Sequence, residues 1–375
     1  MRKVWEWCKT EIVLCIAIVL AVVSTFIIMP DKEYISYIDF RTLAILFCLM
    51  AVMTGLQNVG LFRFLAEKMI RRVNNVRMLV FILVMLCFFS SMFITNDVAL
   101  ITFVPFTFTV LKMILNEDAK TVVVPVVVMQ TIAANLGSML TPIGNPQNLY
   151  LYGKASMGLG DFLRLMLPYT MIAFLLLVIW CFTFPYKGEK TIHIELKSNI
   201  KMSTYRKELI IYGVLFLLCV LTVAHIIPYT MTLVIVICGV FFLDKKVLKK
   251  VDYSLLLTFV GFFIFIGNMG RVPAFNQFIR EIINGNEIVT SVVASQFMSN
   301  VPAALLLSGF TKQYELLIVG TNLGGLGTLI ASMASLISYK YIGREFKKQK
   351  GSYMLYFTVA NLIFLFVLLG FVPLF

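Results

Sequence analysis

The chain has 375 residues, of which 60% are hydrophobic and 14% charged, with a formal net charge of +13. That balance excludes an ordinary soluble domain. The basic residues lie between apolar runs instead of gathering on one face with aromatic partners, which excludes a nucleic-acid surface and leaves the charge as a topology signal.

Arg2 and Lys3 precede an apolar run from Ile12 to Met29. The run is too long for a secretory leader and lacks a small-x-small cleavage site, so it is read as a retained first helix. Apolar segments follow at about 42–57, 78–93, 97–111, 121–152, 162–184, 208–226, 229–243, 253–269, 287–310, 314–338 and 352–373. A crossing needs roughly 20 helical residues, and runs this continuous do not alternate like barrel strands. Helices are the spanning element, because hydrocarbon offers exposed backbone no partner.

Two segments carry polar residues where a bilayer-exposed turn is expensive. The stretch 78–111 turns at Thr95-Asn96-Asp97, and 287–310 holds Ser299-Asn300-Val301-Pro302. Both are read as re-entrant hairpins. A hairpin and a pair of crossings return the chain to the same side, so charge counting fits either. With the hairpins set aside, about nine full crossings remain. The segments 1–11, 58–77, 112–120, 186–207, 244–252 and 339–351 then hold 25 of the 32 basic residues. The positive-inside rule places them in the cytoplasm, with the N-terminus inside and the C-terminus outside, in a multi-pass protein of a bacterial inner membrane.

The polar interval 186–207 is read as a cytoplasmic linker between two halves, 1–185 and 208–375. Each half runs from a helix into an amphipathic stretch (Phe62 to Arg72, then Pro273 to Ile283), a hairpin and an interrupted helix. The interrupted helices, 121–152 and 314–338, align without a gap from Asn135-Leu136-Gly137 and Asn322-Leu323-Gly324, at an offset of 187 (322 − 135). Thr141 matches Thr328 in the same register, and Asn96 matches Asn300 at an offset of 204 (300 − 96). By the loop charges the first hairpin opens to the cytoplasm and the second outward. The expected fold is therefore an all-α integral membrane protein built as an inverted repeat.

Backbone interrupted in mid-membrane survives where it lines a cavity or packs in protein. Asn145-Pro146 and Asn300-Val301-Pro302 suit helix restarts, each directing a partial charge of about +0.5 inward. The candidate solute and ion site comprises Thr95, Asn96, Asp97, Asn135, Gly137, Ser138, Thr141, Gly144, Asn145, Ser299, Asn300, Val301, Asn322, Gly324, Thr328 and Ser332. Asn96, Asn300, Thr141 and Thr328 also suit plain caps of helix breaks, and Gly137, Gly324, Gly325 and Gly327 suit close packing as well as a cavity wall. Asp97 is read as the carboxylate set away from a loop. It needs a cation, a proton or a helix dipole, so Na⁺ near Asn96, Asp97 and Asn300 is one reading and a titrating carrier another.

No Lys or Arg lies deep in an apolar run, which favours cation coupling for an anionic solute. The seven cysteines show no CxxC spacing and are odd in number, and His193 and His225 lack ligand spacing, so neither a disulfide framework nor a metal centre is expected. Without GxSxG, a P-loop or HExxH, no enzyme is indicated and no cofactor beyond a coupling ion.

Through Thr95-Asn96-Asp97-Val98-Ala99-Leu100, Leu140 to Asn148, Ser299-Asn300-Val301-Pro302 and Asn322-Leu323-Gly324, the chain resembles the ion transporter superfamily. That group includes arsenite permeases, Na⁺/H⁺ antiporters of the NhaD type, citrate transporters and divalent anion:Na⁺ symporters. The chain is most similar to anion permeases of the arsenite-permease and NhaD group. The resemblance implies a homodimer with scaffold and transport domains, carrying a small anionic or weak-acid solute with Na⁺ or H⁺. It also implies that Asn96 and Asn300 contact the solute. In the symporters each tip reads Ser-Asn-Thr. Here the tips are Thr95-Asn96-Asp97 and Ser299-Asn300-Val301, and a carboxylate at Asp97 repels a dicarboxylate, which shifts the resemblance toward the arsenite-permease side. Cation/proton exchange through Asp97 is the second transporter reading, and a channel or membrane enzyme the reading from another class.

Overall fold

The computed structural model describes residues 11–71, 73–115, 119–183 and 202–374. Arg2, Lys3, His193 and most of the expected linker 186–207 lie outside the described residues. Every element among the described residues is helical.

The first half comprises α1 (Ile12–Ile27), a single turn α2 (Tyr34–Tyr37), α3 (Phe40–Val59), α4 (Leu61–Ile70), α5 (Val76–Ser90), α6 (Asn96–Leu115), α7 (Ala119–Ser138), α8 (Pro146–Ala155) and α9 (Leu159–Thr183). The second comprises α10 (Arg206–Val223), α11 (Tyr229–Leu248), α12 (Tyr253–Gly270), α13 (Pro273–Ile283), α14 (Glu287–Met298), α15 (Asn300–Ser308), α16 (Tyr314–Leu323), α17 (Met333–Glu345) and α18 (Lys350–Phe371).

Local chemistry sets these limits. The Asp39 carboxylate accepts the Thr42 N–H at the start of α3, and Asp252 accepts the Leu255 N–H at the start of α12, each at 3.0 Å. Gly60, at φ 85°, ends α3 in the left-handed region that glycine tolerates without steric cost. Pro146 opens α8 at its first position, where its missing N–H costs nothing.

Five stretches are long and apolar enough to cross a bilayer: Phe40–Val59, Asn96–Leu115, Leu159–Thr183, Tyr253–Gly270 and Lys347–Leu374. Ile12–Ile27, Val76–Ser90 and Val122–Ser138 are apolar but shorter. The two hairpins differ. At 1.5 Å per residue, α14 and α15 extend only about 18 Å and 14 Å, short of the roughly 30 Å hydrocarbon layer. In the first hairpin α6 reaches about 30 Å, so that arm exceeds the short re-entrant piece expected at 97–111. The expected loop 339–351 is also revised, since α17 runs through Glu345 before the chain turns.

The order long helix, short amphipathic helix, hairpin, interrupted helix, long helix occurs twice, as α3 to α9 and as α12 to α18. In each series both hairpin arms pack on the first part of the interrupted helix, α5 and α6 on α7, α14 and α15 on α16. Across the series the pairing is crosswise: α7 packs on α17 and α8 on α16. The first part of each interrupted helix therefore contacts the second part of the other. Around this unit α1 packs on α12, and α3 on α10 and α11.

Candidate functional site

Three contacts recur in the two halves at the offsets read from the sequence. The Asn96 N–H donates to the Gly144 carbonyl at 3.4 Å, and the Asn300 N–H to the Ala331 carbonyl at 3.0 Å. The Thr141 hydroxyl donates to the Met92 carbonyl at 2.5 Å, and the Thr328 hydroxyl to the Gln296 carbonyl at 3.1 Å. Gly137 leaves space for Ser91 and the Phe88 carbonyl, as Gly324 does for Ser295. Each hairpin tip is thus bonded to the break of its own half. Thr141 and Thr328 serve as the ties.

The halves are joined by amides. The Asn135 Oδ1 accepts from Asn96 Nδ2 and from the Ser332 hydroxyl, both at 2.9 Å. Asn322 Nδ2 donates to Asn148 Oδ1 at 2.7 Å and to the Ile318 carbonyl at 2.8 Å. Asn145 Nδ2 donates to the Ser138 hydroxyl at 2.6 Å, and that hydroxyl donates to the Asn135 carbonyl at 2.8 Å. The end of each first half-helix is thereby bonded to the start of the other half's restarted helix. Asn145 occupies the N-cap position without accepting a backbone N–H through its side chain, so it differs from the expected cap. In the second hairpin the N-cap position of α15 is held by Ser299, one residue before the Asn300 expected.

Of the sixteen sequence candidates, Asn96, Asn135, Gly137, Ser138, Gly144, Asn145, Ser299, Asn300, Val301, Asn322, Gly324 and Ser332 are buried in this crossing. Thr95 and Thr141 are half-buried, and Thr328 is exposed on the far side of the second break. The Asp97 carboxylate stands apart from the amide network, while the Asp97 backbone N–H donates to Asn96 Oδ1 at 2.9 Å. With Thr95 it lines a cavity of about 490 Å³ between the first hairpin tip, α3 and the start of α12. Asp252, Lys250, Gln57 and Thr54 face the same space, and Pro146 brings the N-terminus of α8 to its wall. Asp97 is not the sole carboxylate set inside, because Glu67 and Glu287 are each only 4% exposed. Glu67 pairs with Arg63 at 3.0 Å, and Glu287 accepts from the Thr311 hydroxyl.

Two polar residues escaped the sequence reading. Gln296 Nε2 donates to the Gly324 and Leu326 carbonyls at 3.1 and 3.0 Å, and its Oε1 accepts the Thr328 N–H at 2.8 Å. It holds open the turn where Gly327 sits at φ 110°, and a Cβ at Gly327 would lie 2.2 Å from that Oε1. A lone glutamine in an apolar run one turn before a tip was the available signal. Asn148 was visible in the motif but its reach to the other half was not.

Ser299 has φ 74° and ψ 154°, a region that is nearly glycine-only and costs a non-glycine residue about 1–3 kcal/mol. Ser299→Gly is expected to raise the unfolding temperature while lowering solute uptake, since strain held at a tip serves position over stability. Thermal unfolding and uptake measured on one preparation check it, and an unchanged unfolding temperature would count against the strain.

On the opposite end of α3, Arg41 Nη2 lies 2.8 Å from His225 Nδ1, and the His225 ring packs against Tyr152 of α8. Burial, then Arg41, push the His225 pKa below its ordinary 6.5. A depressed folded value means that the contact's stability is complete above 6.5 and is lost as pH falls toward the folded value. Thermal unfolding against pH is expected to fall on acidification there, and His225→Gln to flatten that slope.

A family model described as citrate transporter matches residues 3–313, more than half of the chain. The chain belongs to the citrate transporter family. The match covers both hairpins and the first interrupted helix. An inner membrane protein, YbiR of Escherichia coli K12, is 31% identical over 322 residues, 84% of each chain. A protein named uncharacterized transporter MJ0456, of Methanocaldococcus jannaschii, is 30% identical over 348 residues, 93% of each chain. More distantly, the silicon efflux transporter LSI3 of Oryza sativa subsp. japonica is 33% identical over 142 residues, 38% of this chain and 28% of its own. This family member is a multi-pass membrane transporter, and its family consists of transporters, not enzymes.

Proposed function

We propose that this chain is a secondary active transporter of a small anion or weak acid, coupled to Na⁺ or H⁺ and working by alternating access as an inverted-repeat homodimer. The observation that carries the reading is the crosswise pairing of α7 with α17 and α8 with α16 around bonded hairpin tips. Two restarted helices in opposite senses place their positive ends at one level, which suits an anionic or polarised group. The loop charges agree with this antiparallel arrangement, with the N-terminus in the cytoplasm and the C-terminus outside. The 490 Å³ cavity then opens from the cytoplasmic ends of α3 and α12 toward the tip, between elements that move against one another.

The charged lining, Asp97 and Asp252 against Lys250, opposes a multiply charged anion unless cations enter with it. A singly charged oxyanion or a neutral weak acid meets less repulsion, in keeping with a relative named for silicon. The two carboxylates favour Na⁺/H⁺ exchange as the second reading.

Proteoliposome uptake of labelled citrate, succinate, arsenite, phosphate and Na⁺, with and without ion gradients, separates these. Asp97→Asn is expected to slow coupled uptake at least about tenfold, the scale of one lost charge-dependent contact, and to flatten its pH profile. Unchanged rate and pH profile in that variant would remove the coupling role. A flux that rises linearly with solute and never saturates would replace the transporter with a channel.

A further inference from the structure

A second cavity, about 710 Å³, lies between α13 and the free ends of the second hairpin, away from the crossing. Its wall on one side is the polar face of α13, with Asn276, Gln277, Arg280 and Glu281. The other face of that helix carries Phe275, Phe278, Ile279 and Ile282 at helical spacing, with Phe278 59% and Ile282 45% exposed. A helix polar on one face and openly apolar on the other lies in the plane of the membrane interface. Phe275 and Ile279 pack on the core while Phe278 and Ile282 stay open, and a helix so placed would set the cavity mouth at headgroup depth.

Its charges are unequally engaged. Glu281 accepts from Gln277 at 2.8 Å, and Glu287 accepts from Thr311 and sits in the first turn of α14, where the helix dipole favours an anion. Arg271 is committed to Asp31 at 2.6 Å and to the Tyr37 hydroxyl at 3.0 Å. Arg280 and Lys312, which face the cavity from α13 and from the loop after the second hairpin, have no ion-pair partner among the described residues.

We propose that this cavity binds a phosphate group at the membrane surface, that of a phospholipid, with Arg280 and Lys312 as its two cationic contacts. A guanidinium pairs with two phosphate oxygens at once and an ammonium adds a point charge. The acyl chains would lie along Phe278 and Ile282. Because Arg280 and Lys312 belong to elements on either side of the cavity, the bound headgroup ties α13 to the hairpin.

Native mass spectrometry of the full-length protein tests this, with phosphatidylethanolamine and, as the phosphate-free control, a diacylglycerol of the same chains. The phospholipid adduct is expected to form at least about tenfold more readily than the control, and Arg280→Gln with Lys312→Gln to remove that margin, a difference of about 1.4 kcal/mol. Protection of Lys312 from an amine-acetylating reagent by the same lipid gives a readout on the unaltered chain. Glycerol phosphate added in excess separates the sources: failure to displace the lipid assigns the site to headgroups, and displacement with equal protection of Lys312 assigns it to a soluble phosphate. Equal binding of diacylglycerol, a margin that survives both substitutions, or equal acetylation of Lys312 with and without the phospholipid would overturn the proposal.

Discussion

Gly137→Ala is expected to cost much of the folded protein. An ideal Cβ there lies 2.0 Å from the Phe88 carbonyl oxygen and 2.6 Å from the Ser91 hydroxyl, so α5 and α7 must separate. The obstruction is backbone, which has no rotamer to yield. Overpacking of a close helix contact costs about 1–3 kcal/mol and more when backbone must shift, so a sharp fall in monodisperse yield and unfolding temperature is expected. The equivalent Gly324→Ala meets the Ser295 hydroxyl at 2.7 Å. That obstruction is partly side chain, so Gly324→Ala with Ser295→Ala is expected to recover part of the loss, whereas Gly137→Ala with Ser91→Ala is not. Similar recovery in both pairs would mean that the two helix contacts are not built as described.

The second large effect is expected at Asn135. Leucine there leaves the Asn96 amide and the Ser332 hydroxyl buried without their acceptor, at about 1–3 kcal/mol for each orphaned group. Ser332→Ala alone removes one donor and leaves Asn135 bonded to Asn96, so about 1 kcal/mol is expected. The double variant should then cost less than the two singles together, because Asn135→Leu no longer orphans a hydroxyl; neighbours in one network couple by about 0.5–3 kcal/mol. Unfolding of the four proteins under one condition measures that coupling. Additive costs would show that the halves are not joined through Asn135. Uptake is expected to fall with Asn135→Leu as well, since the tip bearing Asn96 loses its attachment to the other half.

What could be read from residues alone was whatever depends on local composition and spacing. Apolar runs declare helices in lipid because unpaired backbone is expensive there, and proline, glycine and asparagine at 145–146 and 324–327 declare where those helices stop. The repeat was legible because Asn135 and Asn322, Thr141 and Thr328, and the two tips keep register. Partners were not legible, since a hydrogen bond across 197 residues, such as that from Ser332 to Asn135, leaves no spacing in the chain. Thr328 looked equivalent to the half-buried Thr141 yet is exposed, because burial belongs to the surroundings of a residue and not to its type. Asp97 was recognisable as costly to bury, but only packing decided that it faces α3 and the Asp252 cap instead of the amide crossing. Gln296 and Asn148 became visible as structural ties only when the helices were laid side by side, since an amide in an apolar run has the same sequence appearance whether it binds solute, lipid-buried backbone or the opposite half.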